Sequence, residues 1–112
     1  RNLTADEILF QAFLAAGAAT SASMPPLSNI VFMGMGEPAD NAANVREAVK
    51  VLTDRRCFGF SRDRVMVSTV APHPDAFDAL VGGMVGGDGE DLAPVLAWSL
   101  HAADATLRRR LV

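Results

Sequence analysis

Apolar residues recur at helical spacing in four stretches of the chain, residues 5–16, 43–53, 74–81 and 104–112. The first stretch follows T-A-D-E, in which Thr4 and Glu7 have the spacing of a capping box. Its apolar positions share one face: Ile8, Leu9, Phe13 and Leu14. Gly17 is the predicted end of this helix, and Asn41 or Asn44 is the predicted N-cap of the second. The pattern therefore predicts four helices.

Three short apolar runs alternate with these helices, at residues 29–34, 64–69 and 95–100. The first run is continuous and bounded by turn-forming residues, which predicts a strand buried on both faces of a parallel sheet. The alternation of strands and helices predicts right-handed crossovers and an α/β fold with the helices outside the sheet. Three strands are too few to close a barrel. We therefore expect residues 1–112 to be part of a larger domain.

Composition limits the classes of function. Ten Lys and Arg residues against 13 Asp and Glu residues give a net charge of −3, so the chain offers no strongly basic face for nucleic acid. The single Cys57 excludes a disulfide framework and any all-cysteine metal site within the chain. The longest apolar region, residues 8–19, is shorter than the roughly 18 to 20 residues that span a bilayer. We expect a cytoplasmic protein, with an organelle as the alternative because the chain begins at Arg1 instead of Met.

The ends of the predicted strands carry the residues that suit a ligand site. Ligands of parallel α/β proteins bind beyond the carboxyl ends of the strands, which here comprise residues 34–38, Ser68, Thr69 and residues 99–101. The Glu37 carboxylate can pair with a cation, and the hydroxyl groups of Ser68 and Ser99 can bond to hydroxyl or carboxylate groups. We therefore expect a polar ligand with an ammonium group and sugar hydroxyls at this edge of the sheet.

Each of these residues also has a plainer interpretation. A Gly-x-Gly sequence after a strand is often only a tight turn. Ser68 and Thr69 are each more typical of residues that simply finish a strand. His101 suits a surface or helix-capping position, and His73 lies in a predicted loop. Taken singly, none of them indicates a function.

A second functional interpretation is a nucleotide-binding module without catalytic activity. Gly34-x-Gly36-x-x-Ala39, with Asp54 further along, fits the dinucleotide fingerprint. Against it, residues 38–41 delay the following helix, and Asp54 falls at the end of that helix instead of the end of the second strand. A serine hydrolase is disfavoured, because neither strand-end serine lies in a G-x-S-x-G sequence.

Four segments together resemble the radical S-adenosylmethionine (SAM) enzymes that methylate an adenine of ribosomal RNA. They are R-N-L-T-A at residues 1–5, N-I-V-F-M-G-M-G-E-P at 29–38, V-S-T at 67–69 and S-L-H-A at 99–102. The resemblance is to the dual-specificity adenine C2 methyltransferases and their C8-methylating relatives, and it covers essentially the whole chain. It implies a partial barrel of parallel β/α units, in agreement with the order of the predicted elements.

The resemblance also implies a cofactor site for SAM. Its residues in this chain would be Gly36, Glu37, Ser68, Ser99 and the following pair, Leu100 and His101. The family also uses a [4Fe-4S] cluster, which cleaves SAM to a radical, and a cysteine that carries the methyl group. The cluster ligands would lie before Arg1 and the carrier cysteine beyond Val112, so no catalytic residue is expected in residues 1–112. The implied substrate is adenine C2 in 23S rRNA, and also tRNA in the dual-specificity members.

Some positions depart from the family pattern. Ala71 stands where glycine is usual after V-S-T-x, residues 103–105 replace P-N-D, and the glycine-rich loop at residues 82–89 is longer than usual. These departures bear on the RNA substrate more than on the cofactor site, and they also permit a paralogue that has lost activity. We expect a fragment that is inactive alone, within a monomeric enzyme that contacts RNA and an electron donor through its other parts.

Overall fold

A computed structural model of the chain describes residues 2–33, 36–100 and 102–111. The helices are α1 (Ala5–Ser21), α2 (Ala42–Thr53), α3 (Ala76–Val81) and α4 (Ala105–Leu111), and the strands are β1 (Ile30–Phe32), β2 (Val65–Thr69) and β3 (Val95–Trp98). Short 3-10 helices at Pro38–Asn41 and Arg62–Arg64 precede α2 and β2. The predicted alternation of strands and helices is confirmed.

The three strands form one parallel sheet in the order β1-β2-β3. In the register, Val31 lies beside Met66, Met66 beside Val95, and Ser68 beside Ala97. Because successive side chains of a strand point to opposite faces, the sheet has two distinct faces. The predicted α/β class with a parallel sheet is therefore confirmed.

The two faces of the sheet differ in burial. The covered face packs against α2 and α3, and its β2 residues Val65, Val67 and Thr69 are 0%, 1% and 1% exposed. The open face carries side chains from all three strands: Val31, Met66, Ser68, Val95 and Ala97. Its apolar members Val31, Met66 and Val95 are 47%, 37% and 37% exposed. The hydrophobic core therefore lies on one side of the sheet.

The prediction that the first strand is buried on both faces is wrong for the described residues. Ile30 and Phe32 pack against the core, whereas Val31 faces the open side. The cause is that α2 and α3 cover a single face of the sheet, and the run of apolar residues does not reveal which face has a covering layer.

Helix α1 begins as predicted and ends later. Thr4 Oγ1 accepts a hydrogen bond from the Glu7 N–H at 3.2 Å, and Glu7 Oε1 accepts one from the Thr4 N–H at 3.2 Å, which confirms the capping box. The helix runs through Gly17 to Ser21, because the alanines around Gly17 favour helix strongly enough to offset the entropic cost of one glycine. The predicted end at Gly17 is therefore wrong.

A set of asparagine bonds joins the start of α1 to the start of α2. The Asn41 Nδ2 donates to the Leu3 carbonyl at 2.8 Å, and Asn44 Oδ1 accepts from the Ala5 N–H at 3.2 Å. Asn44 Nδ2 also donates to Asn41 Oδ1 at 2.9 Å. Asn41 occupies the N-cap position of α2 but makes no side-chain capping bond there. Asn41 and Asn44, the two residues predicted as N-cap of α2, therefore connect the start of α1 to the start of α2.

Candidate functional site

The carboxyl ends of β2 and β3 bring two of the predicted site residues together. Ser68 lies in β2 and Ser99 directly follows β3, and their Oγ atoms are 3.0 Å apart. In this pair one hydroxyl group donates to the other, so one hydroxyl hydrogen and several lone pairs remain for a ligand. Ser68 is on the open face, half-buried, and Ser99 is exposed. The predicted meeting of these hydroxyl groups at one edge of the sheet is thus observed.

Glu37 follows β1 and makes three hydrogen bonds to other parts of the chain. Its Oε2 accepts from the Ala39 N–H at 2.6 Å and from Thr69 Oγ1 at 2.7 Å. Its Oε1 accepts from the Val70 N–H at 2.9 Å. The carboxylate therefore caps the 3-10 helix that precedes α2 and also fixes the end of β2.

Burial and hydrogen bonding act on the pKa of Glu37 in opposite directions. Partial burial removes water from the carboxylate and raises its pKa, but the bonds from Thr69 Oγ1 and the N–H groups of Val70 and Ala39 lower it. The charge of the nearby His73 lowers the pKa further. Because the hydrogen bonds and this charge outweigh desolvation, the pKa of Glu37 lies below its ordinary value and the group is a carboxylate at neutral pH.

Thr69 is named in the sequence analysis only as a strand-end residue, and the structure shows that it binds Glu37. Its side chain is on the covered face and 1% exposed. The hydroxyl group donates to Glu37 Oε2 and accepts from the Ala71 N–H at 2.9 Å. A signal was present in the sequence, because a serine facing the open side requires the following threonine to face the core, where its hydroxyl group needs a partner.

The segment after Thr69 leads into a turn at residues 74 and 75 and has an unusual backbone conformation at Ala71. Ala71 has a φ of 52°, in the left-handed region that favours glycine. This conformation gives a physical reason for the glycine expected at this position from the family pattern. Further along the turn, His73 Nδ1 lies 2.7 Å from Asp75 Oδ1, and this bond lowers the pKa of Asp75.

The remaining predicted site residues are distributed around the same edge. Gly36 is exposed, and an added Cβ would meet no atom within 4 Å. Leu100 is 39% exposed. His101 lies outside the described residues, as do Gly34 and Met35 of the segment that follows β1.

A cavity of about 470 Å³ adjoins Gly36 and Glu37. It lies between α1 and the β1 edge, with Gln11 and Met33 among its lining residues, and it does not include either serine of the hydroxyl pair. The cavity walls are mainly apolar side chains of α1, β1 and α2. The site therefore combines open polar groups at the strand ends with an adjacent apolar recess.

The geometry disagrees with a dinucleotide-binding turn. The 3-10 helix Pro38–Asn41 separates Gly36 from α2, so the N-terminus of α2 does not open directly from the glycine turn. Asp54 is the C-cap of α2 and binds Arg56 at 3.0 Å. It is thus far along the chain from the end of β2, where a ribose-binding carboxylate would be needed.

The chain does not contain the ligands of an iron–sulfur cluster. Cys57 is its single cysteine, and it is exposed. Within residues 2–33, 36–100 and 102–111, no group of three or more His, Cys, Asp and Glu side chains could hold a metal ion. The polar groups at the strand ends, by contrast, fit SAM, whose ammonium, carboxylate and ribose hydroxyls need hydrogen-bond partners of both kinds.

None of the helices in the described part of the chain is long and apolar enough to cross a membrane.

The chain is similar to proteins of known structure. No model of a known protein family matches the chain. A radical SAM methyltransferase from Sphaerobacter thermophilus, solved by crystallography, is similar to it with 38% sequence identity and a TM-score of 0.81. The similarity covers 100% of this chain and 30% of the Sphaerobacter protein, so the chain spans less than a third of that protein. The sequence identity over the whole chain, together with the similar fold, supports the radical SAM methyltransferase family and a partial β/α fold for this chain.

Proposed function

We propose that the chain forms one wall of the SAM site in a radical SAM methyltransferase. The observation that carries this proposal is the Ser68–Ser99 hydroxyl pair, 3.0 Å apart at the carboxyl ends of neighbouring strands. Hydroxyl groups at that edge can bond to the ribose and carboxylate of SAM. Gly36 follows β1, and a Cβ added there would meet no atom within 4 Å, so a ligand can approach its backbone closely.

The remaining cofactor contacts are assigned by the family resemblance. We propose Gly36, Glu37, Ser68, Ser99, Leu100 and His101 as the SAM-binding residues of this chain. When bound, SAM supplies the methyl group of the reaction. The [4Fe-4S] cluster that the family requires must be held by another part of the protein, because this chain has a single cysteine. Residues 1–112 are accordingly a partial core domain and inactive by themselves.

For the substrate we propose an adenine of RNA, methylated at C2 in 23S rRNA and also in tRNA. The support is the combination of G-M-G-E-P, V-S-T and S-L-H-A in this order along the chain. Because the net charge of the chain is −3, the RNA would be bound by other parts of the protein. The same proposal includes a monomeric cytoplasmic enzyme that receives electrons from a separate donor.

The cofactor assignment is tested by titrating the full-length protein with SAM. Ser68→Ala and Ser99→Ala should each weaken binding about threefold to tenfold, because a neutral hydrogen bond contributes about 0.5 to 1.5 kcal/mol. Ser28→Ala is the matched control, since Ser28 is exposed in the loop before β1. Unchanged affinity in both variants would contradict the assignment, and binding of a dinucleotide in place of SAM would favour the nucleotide-binding module.

The substrate assignment requires a separate measurement. Cells lacking the full-length protein should lose 2-methyladenosine from 23S rRNA, as measured by mass spectrometry of nucleoside digests. The wild-type gene should restore it, whereas a variant with both Ser68→Ala and Ser99→Ala should restore less. An unchanged nucleoside profile in the deletion strain would exclude this substrate while leaving the cofactor assignment to the titration.

A further inference from the structure

The Glu37 carboxylate and the Thr69 hydroxyl group form a junction that connects the ends of β1 and β2. We refer to Glu37, Thr69 and the N–H groups of Ala39 and Val70 as the Glu37–Thr69 latch. Three donors from three different positions converge on one carboxylate, at 2.6, 2.7 and 2.9 Å. Hydrogen bonds to a charged acceptor are stronger than those between neutral groups. The latch therefore fixes the backbone at the end of β2 against the segment after β1.

The backbone that the latch holds also carries the hydroxyl pair. Thr69 directly follows Ser68, so fixing the Thr69 side chain on the covered face directs the Ser68 side chain to the open face. The Thr69 carbonyl accepts a hydrogen bond from the Ser99 N–H at 2.9 Å. One residue thus connects the latch to both serines, through the chain to Ser68 and through a backbone bond to Ser99.

The bonds of the latch also restrict what Glu37 offers to a ligand. A carboxylate has about four acceptor positions, and three donors from the chain already occupy three of them. Both positions of Oε2 are used, and Oε1 retains one. A ligand ammonium would share a carboxylate whose main partners belong to the protein, so the pairing of Glu37 with a cation is not its principal interaction.

Resting on the proposed function, we propose that Thr69 is a positioning residue, which through its bonds to Glu37 and Ser99 holds Ser68 and Ser99 in the arrangement that binds SAM. In this arrangement the Thr69 hydroxyl group lies on the covered side of the sheet end, Ser68 lies on the open side, and the remaining acceptor position of Glu37 Oε1 is left for SAM. Removing the Thr69 hydroxyl group leaves the two serine hydroxyl groups and the Glu37 carboxylate present but frees the end of β2 to shift, so affinity falls without the loss of a ligand contact.

The test substitutes Thr69 in the full-length protein and measures SAM affinity by calorimetry. Thr69→Val keeps the shape of the side chain and removes the hydroxyl group, and it should weaken SAM binding about tenfold, which corresponds to about 1.4 kcal/mol. Thr69→Ser restores the hydroxyl group, and its affinity should return to within about threefold of the wild type. Rescue by serine separates a positioning bond from a general packing defect.

Thr53→Val is the matched control. Thr53 is in α2, and its hydroxyl group donates to the Val49 carbonyl at 2.9 Å, away from the strand ends. The same chemical change at this position should leave the affinity for SAM unchanged. If Thr69→Val does not fold, Glu37→Gln replaces it, since this variant keeps the size of the side chain and removes the charge that strengthens the latch. Because Glu37 is also a proposed SAM contact, its readout is then amide hydrogen exchange at Ser99 and not SAM affinity.

A second readout does not depend on the cofactor. Amide hydrogen exchange at Ser99 reports the bond between its N–H and the Thr69 carbonyl, and exchange should accelerate in Thr69→Val but not in Thr53→Val. If Thr69→Val changes neither the exchange at Ser99 nor the affinity for SAM, the latch is overturned. This holds even if Ser68→Ala weakens SAM binding, because that result supports only the proposed function. A different outcome is that the wild-type protein binds no SAM while exchange at Ser99 is faster in Thr69→Val than in the wild type. That outcome would refute the proposed function and retain the latch as a structural connection.

Discussion

The two faces of the sheet show how this chain separates stability from chemistry. On β2, Val65, Val67 and Thr69 point to the covered face and are at most 1% exposed, whereas Met66 and Ser68 alternate with them on the open face. Residues that are neighbours in sequence therefore have different roles. The covered face packs against helices, and the open face presents the hydroxyl groups of the proposed cofactor site. This division explains why a strand with three buried residues still contributes to a binding surface.

The largest effect should come from valine truncation on the covered face. Val67→Ala should reduce the free energy of unfolding by about 2 to 3 kcal/mol, because it removes buried methyl groups and leaves a cavity. Val31→Ala is the same change on the open face, where the side chain is 47% exposed, and it should cost less than about 1 kcal/mol. Urea denaturation of the full-length variants measures both. Equal losses would mean that the open face is also a packed surface.

Replacing an alanine by the larger valine should also distinguish the two sides of the sheet, through a loss of stability on the covered side and a loss of SAM binding on the open side. Ala76→Val adds bulk at a position that is 0% exposed in α3, and it should lower stability by about 1 to 3 kcal/mol through overpacking. Ala97→Val adds the same bulk beside Ser68 on the open face. We expect little change in its unfolding curve, but about tenfold weaker binding of SAM. An Ala97→Val variant with normal affinity would place the cofactor away from this part of the open face.

The comparison of the faces also marks what the sequence could predict. Apolar runs and helical spacing identified the strands and α-helices of the described residues, because each is a local pattern that burial selects, but not the two 3-10 helices. They did not reveal that one face of β1 is open, since that depends on which other elements cover it. The extension of α1 past Gly17 was missed because a single glycine in an alanine-rich segment is a weak signal.

For the candidate site, the sequence indicated which polar side chains lie at the strand ends, but not which hydrogen bonds they make. Ser68 and Ser99 were expected at one edge because parallel strands end on the same side. The role of Thr69 was not predicted, because its bond to Glu37 joins residues that are 32 positions apart and depends on how two strand ends meet. Glu37 was correctly placed at the strand end, but its three bonds within the protein were not visible in the sequence.

A smaller effect should appear as a pH dependence of stability at the boundary between the faces. The folded protein lowers the pKa of Glu37 below 4.5, so protonation favours the unfolded chain. The contribution of Glu37 is therefore present above this pH and is lost as the pH falls through the lowered pKa. Glu37→Gln should be less stable than the wild type at pH 7, and the difference should narrow as the pH falls below about 4.5.

The difference in unfolding free energy between Glu37→Gln and the wild type must be measured, and not the wild type alone, because other carboxyl groups also have lowered pKa values. They are Asp54, Asp63 and Asp75, and all three remain in the Glu37→Gln variant. His73, whose charge acts on Glu37, also remains in both proteins. Chemical denaturation at several pH values gives the result. A difference that stays constant from pH 7 to the acid limit would show that the Glu37 charge does not stabilise the folded state.

The smallest effect should be a gain in stability at the turn after β2. Ala71 has a φ of 52°, and releasing this left-handed strain in Ala71→Gly should offset the greater freedom of glycine in the unfolded chain. We expect a net stabilisation of about 0.5 kcal/mol, seen as a small rise in the midpoint of thermal unfolding. Ser23→Gly should act in the same direction, because Ser23 has a φ of 56°.

Ala22→Gly is the opposing control for this prediction. Ala22 has a φ of −88°, an ordinary conformation for alanine, so glycine there should lower stability. Gain at Ala71 and loss at Ala22 would together identify backbone strain as the cause, since the atoms removed are the same. If both variants lose stability, the packing of the Ala71 methyl group against the core outweighs the strain. The turn would then be held by the covered face, and its left-handed residue would be a tolerated consequence of that packing.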